Sequence, residues 1–523
     1  MIDVQSMTSF ERREHLKHVM HPPKFTSENI KKYASTRFSS LFVPRDELAQ
    51  YSKQEIFNPF SVLRELTWKQ WNFFLLGFSA WTLDAFDFFC VSLNTTEIAR
   101  DLKVTVKDVT WGITLVLMLR SVGAVIFGLW GDRYGRKWPY ITNLVLLTAI
   151  QIGTGFVTTY KEFLGVRAIF GIAMGGIYGT CSAIAMEDCP KAARGVISGM
   201  FQQGYAFGYL FAILFQRVLA DNTKKGWRTL FWFSAGLAVP LIIWRYFTEE
   251  TDTFKKQQQS FDEHAKTTSK AKEFKEEGKK AMKTYGVVAI YAVLMMAGFN
   301  FMSHGSQDLY PTLLSVQLGF GKNKSAVTNS VANLGAICGG LTMGHASTFL
   351  GRRLTVIIGC VLGGAMIYPW AFLENNGIMA GAFWLQFFVQ GNWGVVPIHL
   401  SELSPPQFRS FVGGVAYQLG NLASSASSTI EATIGERFPI YNPDGTPKKS
   451  ASGATIYDYS KTMAIFVGAV FAYVIVIMFV GPENRGADLS IDRDETDSIA
   501  DVVDEEEQFD EDKKPDVVYT ERV

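Results

Sequence analysis

The chain of 523 residues reads as an all-α polytopic membrane protein of twelve spanning helices, arranged as two related six-helix halves. Three observations predict this class. Long apolar runs such as Trp138 to Val157, Val287 to Phe299 and Ile465 to Val480 recur between short polar stretches, more than one soluble domain can hide. The formal charge is +1, and the charged residues gather in the termini and one central segment, so the runs themselves are charge-poor. Finally, Glu187, Pro190, Arg194, Gly199 and Gln203 recur as Glu402, Pro405, Arg409, Gly414 and Gln418 at a constant offset of 215 residues. Gly135-Arg136-Lys137 is echoed near that offset by Gly351-Arg352-Arg353, the mark of a parallel duplication.

An apolar helix needs roughly 20 residues to cross a hydrocarbon layer of about 30 Å. By that rule the first half holds spans at about 72–94, 109–130, 138–158, 163–186, 195–219 and 228–248. The second half holds them at about 285–310, 326–347, 354–373, 377–400, 411–432 and 462–481. The chain then divides into an N-terminal tail (1–70), a six-helix half (71–248), a linker (249–284), a second half (285–481) and an acidic tail (482–523). The linker is rich in Lys, Glu and Gln and reads as partly helical. The final tail carries the run Asp504-Glu505-Glu506-Glu507 and few aromatics, a composition that cannot bury enough surface to order itself.

The Lys and Arg bias places both tails and the linker in the cytoplasm. No cleaved signal peptide is evident, so the first span directs insertion. Asn94-Thr95-Thr96 and Asn323-Lys324-Ser325 are glycosylation acceptor patterns on the opposite side. Cys90, Cys181, Cys189, Cys338 and Cys360 lack metal-ligand spacing and read as packing thiols. No Walker pattern and no basic field are present, so neither an ATP site, a metal, a cofactor nor a nucleic-acid partner is expected, and the partner in bulk is the lipid bilayer. Covalent catalysis is not expected.

Gly128-Leu-Trp-Gly131-Asp132-Arg133-Tyr-Gly135-Arg136-Lys137 follows the second span and resembles the signature loop of the major facilitator superfamily. Its physical sense is a tight glycine turn, with Asp132, Arg133 and Arg136 set to bond helix ends in one conformation. Arg167-x-x-x-Gly171-x-x-x-Gly175 resembles the fourth span of that superfamily, its glycines serving close packing. Glu187 with Arg194, and Glu402 with Arg409, are expected to form cytoplasmic gate contacts rather than to bind substrate, and Gly131 and Gly135 belong to the same conformational set.

The seventh span ends in Asn300-Phe-Met-Ser303-His304-Gly-Ser306-Gln307-Asp308-Leu-Tyr-Pro-Thr312. On a helix, Asn300, Ser303, His304, Gln307 and Asp308 fall within an arc of about 140°, a polar stripe that cannot face lipid. The stretch resembles the Asn-x-x-Ser/Thr-His-x-Ser/Thr-Gln-Asp-x-x-x-Thr signature of the fungal Jen-type carboxylate/proton symporters. That resemblance covers about 60 to 485. It implies a major facilitator fold, a plasma-membrane location, and uptake of short carboxylates such as lactate, pyruvate, acetate, succinate or malate with protons.

Arg120 lies about halfway along the second span and needs a carboxylate partner or an anionic ligand. The resemblance makes Arg120 and Gln418 substrate-binding residues, together with Asn300, Ser303, His304 and Gln307. Asp84 and Asp87 share a face of the first span, aligned by the repeat with Asn300 and Ser303. They are proton carriers or fixed counter-charges to Arg120, and His304 with Asp308 is the other proton-coupling pair. His345 and His399 read as structural. Ser498, Lys513 and Lys514 point to phosphorylation and ubiquitin-driven removal. The rival functions are a sugar or sialate porter, or a nutrient sensor that does not transport.

Overall fold

The computed structural model describes residues 25–264, 270–435, 437–449, 455–487 and 489. Twelve helical columns follow in the expected order among these residues. The first half contains α1 (Trp68–Ser92), α2 (Val106–Tyr134), α3 (Lys137–Thr154), α4 (Tyr160–Gly175, resuming as Ile177–Met186), α5 (Arg194–Gln202, resuming as Gly204–Phe215) and α6 (Arg228–Phe247). The second half contains α7 (Lys270–Gln307), α8 (Lys322–Leu350), α9 (Arg352–Ala371), α10 (Gly377–Leu403), α11 (Arg409–Ser424, resuming as Ser427–Gly435) and α12 (Tyr459–Val480).

Local sequence sets the starts of several columns. Thr67 with Gln70, Thr105 with Asp108, and Thr159 with Glu162 form reciprocal capping boxes at the heads of α1, α2 and α4, satisfying helix N–H groups that would otherwise be orphaned. Among the described residues, 7 helices are long and apolar enough to cross a membrane by composition alone. The columns α3, α5, α8, α10 and α11 fall outside that set. Of these, α5, α8, α10 and α11 carry more Gly, Ser, Asn and Gln, which suits helices packed against other helices rather than against lipid.

The halves meet where α2 and α4 pack on α11 and where α5 packs on α8 and α10. Gly179 shows how close they come: a Cβ there would lie 2.3 Å from the Ser410 carbonyl oxygen. The loop between α11 and α12 forms bridges Pro439–Tyr457, Tyr441–Pro447 and Lys449–Thr455, which hydropathy did not reveal.

Two boundaries and one glycosylation acceptor differ from the expected ones. The linker is a helix over Asp252–His264, its first N–H groups capped by Asp188, and α7 begins at Lys270 rather than near 285. Polar helix outside the membrane carries no hydropathy signal. Residues 483–487 and Leu489, placed by sequence in a disordered tail, are packed against the ends of α5, α8, α10 and α11. Asn94 is 1% exposed and donates to the Cys90 carbonyl, so it offers no glycan acceptor, whereas Asn323 is exposed. The acidic run, Ser498, Lys513 and Lys514 lie outside the described residues.

Candidate substrate and coupling site

The end of the bundle that carries the linker is tied together by buried charge. Asp132, on the last turn of α2, accepts the N–H groups of Ser410 (3.0 Å) and Phe411 (2.8 Å), so its carboxylate caps the positive end of α11 across the halves. Arg136 donates to Glu187 at 2.6 Å, and Arg409 reaches the same oxygen at 3.3 Å. Glu402 takes a two-pronged bond from Arg352, at 2.9 and 3.0 Å. Gly135, with φ at 96°, makes the turn that brings Arg136 inward. Gly131 sits over Ser410 with room for a side chain.

The expected gate pairs are therefore re-partnered. Glu187 binds Arg136 and Arg409 rather than Arg194, and Glu402 binds Arg352 rather than Arg409. Arg194 turns to the carbonyl oxygens of Cys189 (3.0 Å) and Ala487 (2.5 Å). Arg133 bonds no helix end among the described residues; its guanidinium lies 4.2 Å over the Phe261 ring of the linker. The C-terminal segment straps this end, with the Gly486 N–H on Glu402 (2.9 Å) and the Leu489 carbonyl accepting from Arg409 (3.2 Å).

Midway along the bundle the chemistry changes. Arg120 is 2% exposed, and its Nε and Nη2 have no hydrogen-bond partner among the described residues. Gly175 makes its position possible, because α4 passes so close that a Cβ there would lie 2.0 Å from the Arg120 carbonyl oxygen. The guanidinium stands 5.9 Å from the Tyr417 ring of α11. Next along α11, Gln418 is fully buried; its oxygen accepts from Asn421 at 3.2 Å, and its amide nitrogen is unpartnered among the described residues.

The α7 stripe faces α10 as well as the centre. Gln390 donates to Ser303 (3.3 Å) and Gln307 donates to Gln386 (3.0 Å), a polar seam between two helices. Asn300 turns back to the Met296 carbonyl. His304 and Asp308 sit one helical turn apart with Nδ1 to Oδ2 at 3.2 Å, and their side chains keep 27% and 32% exposure. The pair is thus reachable from the end opposite the linker.

The two aspartates of α1 part company. Asp84 is buried with both oxygens unpartnered among the described residues, and Arg120 and Asp87 are its charged neighbours. Asp87 turns away from Arg120, into the first half. It accepts from Ser234 of α6, with Gln151 of α3 nearby and Arg167 of α4 as its cation. Arg167 in turn donates to Gln151 (3.5 Å) and Thr154 (3.3 Å). Asp87 is therefore no counter-charge to Arg120.

Residues 58–493 match the family described as sugar (and other) transporters. The chain belongs to that family of the major facilitator superfamily. It is a multi-pass secondary transporter and not an enzyme. A "Carboxylic acid transporter protein homolog" of Saccharomyces cerevisiae is 44% identical over 481 residues, covering 90% of this chain and 76% of the relative. It is a relative of the kind to which the seventh-span signature pointed. A "Cis,cis-muconate transport protein" of Acinetobacter baylyi is 24% identical, over 71% of this chain and 87% of the relative. Among solved structures, the proton:xylose symporter XylE superposes with a TM-score of 0.63 at 16% identity, over 82% of this chain and 98% of XylE, which is a likeness of fold.

Sequence reasoning missed an aromatic layer in this transporter. Tyr178 of α4 stacks on Tyr417 of α11 with ring centres 3.9 Å apart. Trp81 of α1 meets both, at 5.1 and 5.8 Å, and Trp393 of α10 meets Tyr417 at 5.8 Å. The indole N–H groups of Trp81 and Trp393 and the Tyr178 hydroxyl lack partners among the described residues. Tyr205 of α5 feels Arg120, Asp84, Asp308 and Tyr417 together. The available signal was amphipathic aromatics in mid-span, where an O–H or N–H needs a partner that hydrocarbon does not supply.

Proposed function

We propose that the transporter imports short-chain mono- or dicarboxylates with protons across the plasma membrane by alternating access, with its termini and linker in the cytoplasm. One observation carries this reading: among the unpartnered buried polar atoms around Tyr417, donors outnumber acceptors, the exceptions being the Asp84 carboxylate oxygens and the Tyr178 hydroxyl, which can do either. Arg120 Nε and Nη2, Gln418 Nε2, and the indole N–H groups of Trp81 and Trp393 are unpartnered among the described residues. A sugar would call for acceptors in similar number, whereas a carboxylate accepts on every lone pair and answers the guanidinium two-pronged. A guanidinium at that depth with no direct ion pair is costly, and an anionic substrate would answer it more closely than the neighbouring Asp84 does. The names of the yeast and Acinetobacter relatives favour the same substrate class.

Moving an anion into a negative interior costs about 2.3 kcal/mol per 100 mV, and one proton entering with it cancels that cost. His304 with Asp308 supports this role, since the pair is near the substrate donors and reachable from the outer end. Asp84 is a second carboxylate beside Arg120. Asp87 serves through the Arg167 network. The tail beyond Leu489 serves turnover through phosphorylation and ubiquitin rather than transport.

The test is uptake of labelled lactate by cells expressing the chain, at external pH of about 5 and about 7, in competition with pyruvate, acetate, succinate, malate and glucose. The acids should compete, glucose should not, and uptake should rise as external pH falls. Asp308→Asn should impair accumulation more than exchange of labelled acid. Competition by glucose alone would establish a sugar porter, and a surface-expressed chain with no uptake of any acid would establish a sensor.

A further inference from the structure

A third carboxylate stands beside His304 and Asp308, on a helix that the polar stripe does not include. After the break that follows Ser424, α11 resumes as Ser427–Gly435, and Glu431 lies in that second segment. It is fully buried, and neither of its carboxylate oxygens has a hydrogen-bond donor among the described residues. Gly305 locates it: a Cβ built there would lie 3.4 Å from Glu431 Oε1. The carboxylate therefore presses on the α7 backbone one residue past His304 and three short of Asp308.

The groups facing Glu431 come from two helices. From α7, Asp308 is the charge that acts on it, with His304 bonded to Asp308 behind. From α12, Phe466 closes the same face of Gly305, and Thr462 packs near Gly435. The charged residues where α12 begins are engaged elsewhere: Lys461 lies 4.3 Å over the Phe438 ring, and Asp458 caps α12 and accepts from Gln317. No cation faces Glu431 among the described residues.

An ionised carboxylate without donors or a cation costs several kcal/mol in such surroundings. Two neighbouring carboxylates cannot both ionise cheaply, so a pair of this kind tends to keep one proton between them. A glutamate that served packing alone would be cheaper as glutamine or leucine. We infer that Glu431 is a proton-carrying residue of the coupling site, handing its proton to the Asp308 carboxylate and taking one back as the transport cycle turns. One carboxyl loses the proton that the other gains, and the bulk solution at the outer end replaces it through Asp308. Glu431 and the substrate donor Gln418 share α11, about 20 Å apart along its axis, so a shift of that helix moves both.

This inference rests on the proton-symport reading above. The test reconstitutes the whole chain, Glu431→Gln and Glu431→Asp in liposomes, and measures lactate counterflow without a gradient, accumulation under an imposed pH gradient, and the pH profile of uptake. A gradient of one pH unit supports about a tenfold concentration ratio through one coupled proton. The expected result is that Glu431→Gln keeps counterflow within about twofold of the parent, loses accumulation and flattens the pH profile, while Glu431→Asp retains all three. A Glu431→Gln protein with the parent's accumulation and pH profile overturns the inference. So does an equal loss of counterflow and accumulation, which assigns Glu431 to packing. A parent chain that performs counterflow but never accumulates overturns the symport reading itself and this inference with it.

Discussion

The linker end and the middle of the bundle both bury charged side chains, yet they treat them in opposite ways. At the linker end Arg136, Arg352 and Arg409 are each within 3.3 Å of a glutamate oxygen, and Asp132 caps a helix of the other half. In the middle, Arg120 and Gln418 hold donors with no partner among the described residues. A buried ion pair is costly to break because each member is left uncompensated, so the first arrangement is a lock. Arg120 has Asp84 as a charged neighbour but no direct ion pair, and its free donors support the second as the proposed binding site. Arg136 and Arg409 leave some N–H groups unpartnered too, so the difference teaches that direct ion pairing, rather than burial or full hydrogen bonding, separates the two regions of this transporter.

The largest test of that contrast is Arg120→Ala. Removing this guanidinium should abolish lactate uptake at normal surface expression, weakening substrate binding on the order of 100-fold or more. Arg120→Lys should recover little, since a point charge does not replace a planar fork. Uptake affinity by competition checks both, and parental affinity in the alanine variant would erase the distinction between the two regions.

Glu187→Gln attacks the lock instead. It leaves Arg409 without its carboxylate and Arg136 with only Asp132, at 3.4 Å, and should open the linker end, leaving substrate affinity less affected. Cys189, 6% exposed and two residues from Glu187, reports opening by its alkylation rate in a Cys338→Ser background. An increase of about tenfold is expected, equivalent to roughly 1.4 kcal/mol of the pair's strength.

The strap gives a smaller effect of the same sign. A chain ending at Leu489 should transport as the full chain does per surface molecule. A chain ending at Arg485 loses the Gly486 N–H and the carbonyl oxygens of Ala487 and Leu489 from the gate. It should raise Cys189 alkylation about threefold, equivalent to about 0.65 kcal/mol, the low end of a single hydrogen bond's net worth because water replaces the lost partners once the strap is removed.

Smallest is an exposed pair at the other end, where Asp101 accepts from Arg228 and from Trp227 Nε1 (3.2 Å). The Arg228 bond holds the Asp101 carboxyl below its ordinary value. Its contribution is then present above the ordinary carboxylate range and fades as pH falls through the lowered value. Asp101→Asn should cost only about 0.5 kcal/mol near neutrality, because solvent screens the pair, and nothing in strong acid. Thermal melting of the detergent-solubilised proteins across pH measures it.

How much of this was legible beforehand differs by residue. The α7 stripe and Arg120 were readable because a polar group in an apolar run is a local anomaly. His304 and Asp308 were readable as a pair because a spacing of four is one helical turn. Glu431 escaped notice, since it lies near a span's end where a carboxylate is unremarkable, and only the packing of α11 on α7 makes it buried. The segment up to Leu489 escaped because polar composition does not reveal docking against charged helix ends.

The sequence by itself determined the class, the twelve columns, the duplication and the polar positions, because hydropathy, repeat offset and helical period are properties of neighbouring residues along one chain. Only the tertiary structure decided the partners. A repeat places Glu187 and Arg194 in register with Glu402 and Arg409, yet each glutamate found an arginine that reached it from a different helix. Asp84 and Asp87 share a helix face, yet three residues of offset point one towards Arg120 and the other towards Arg167. Electrostatic partnership falls off within a few ångströms, and which side chains come that close is settled by how helices pack, not by how far apart they stand in sequence.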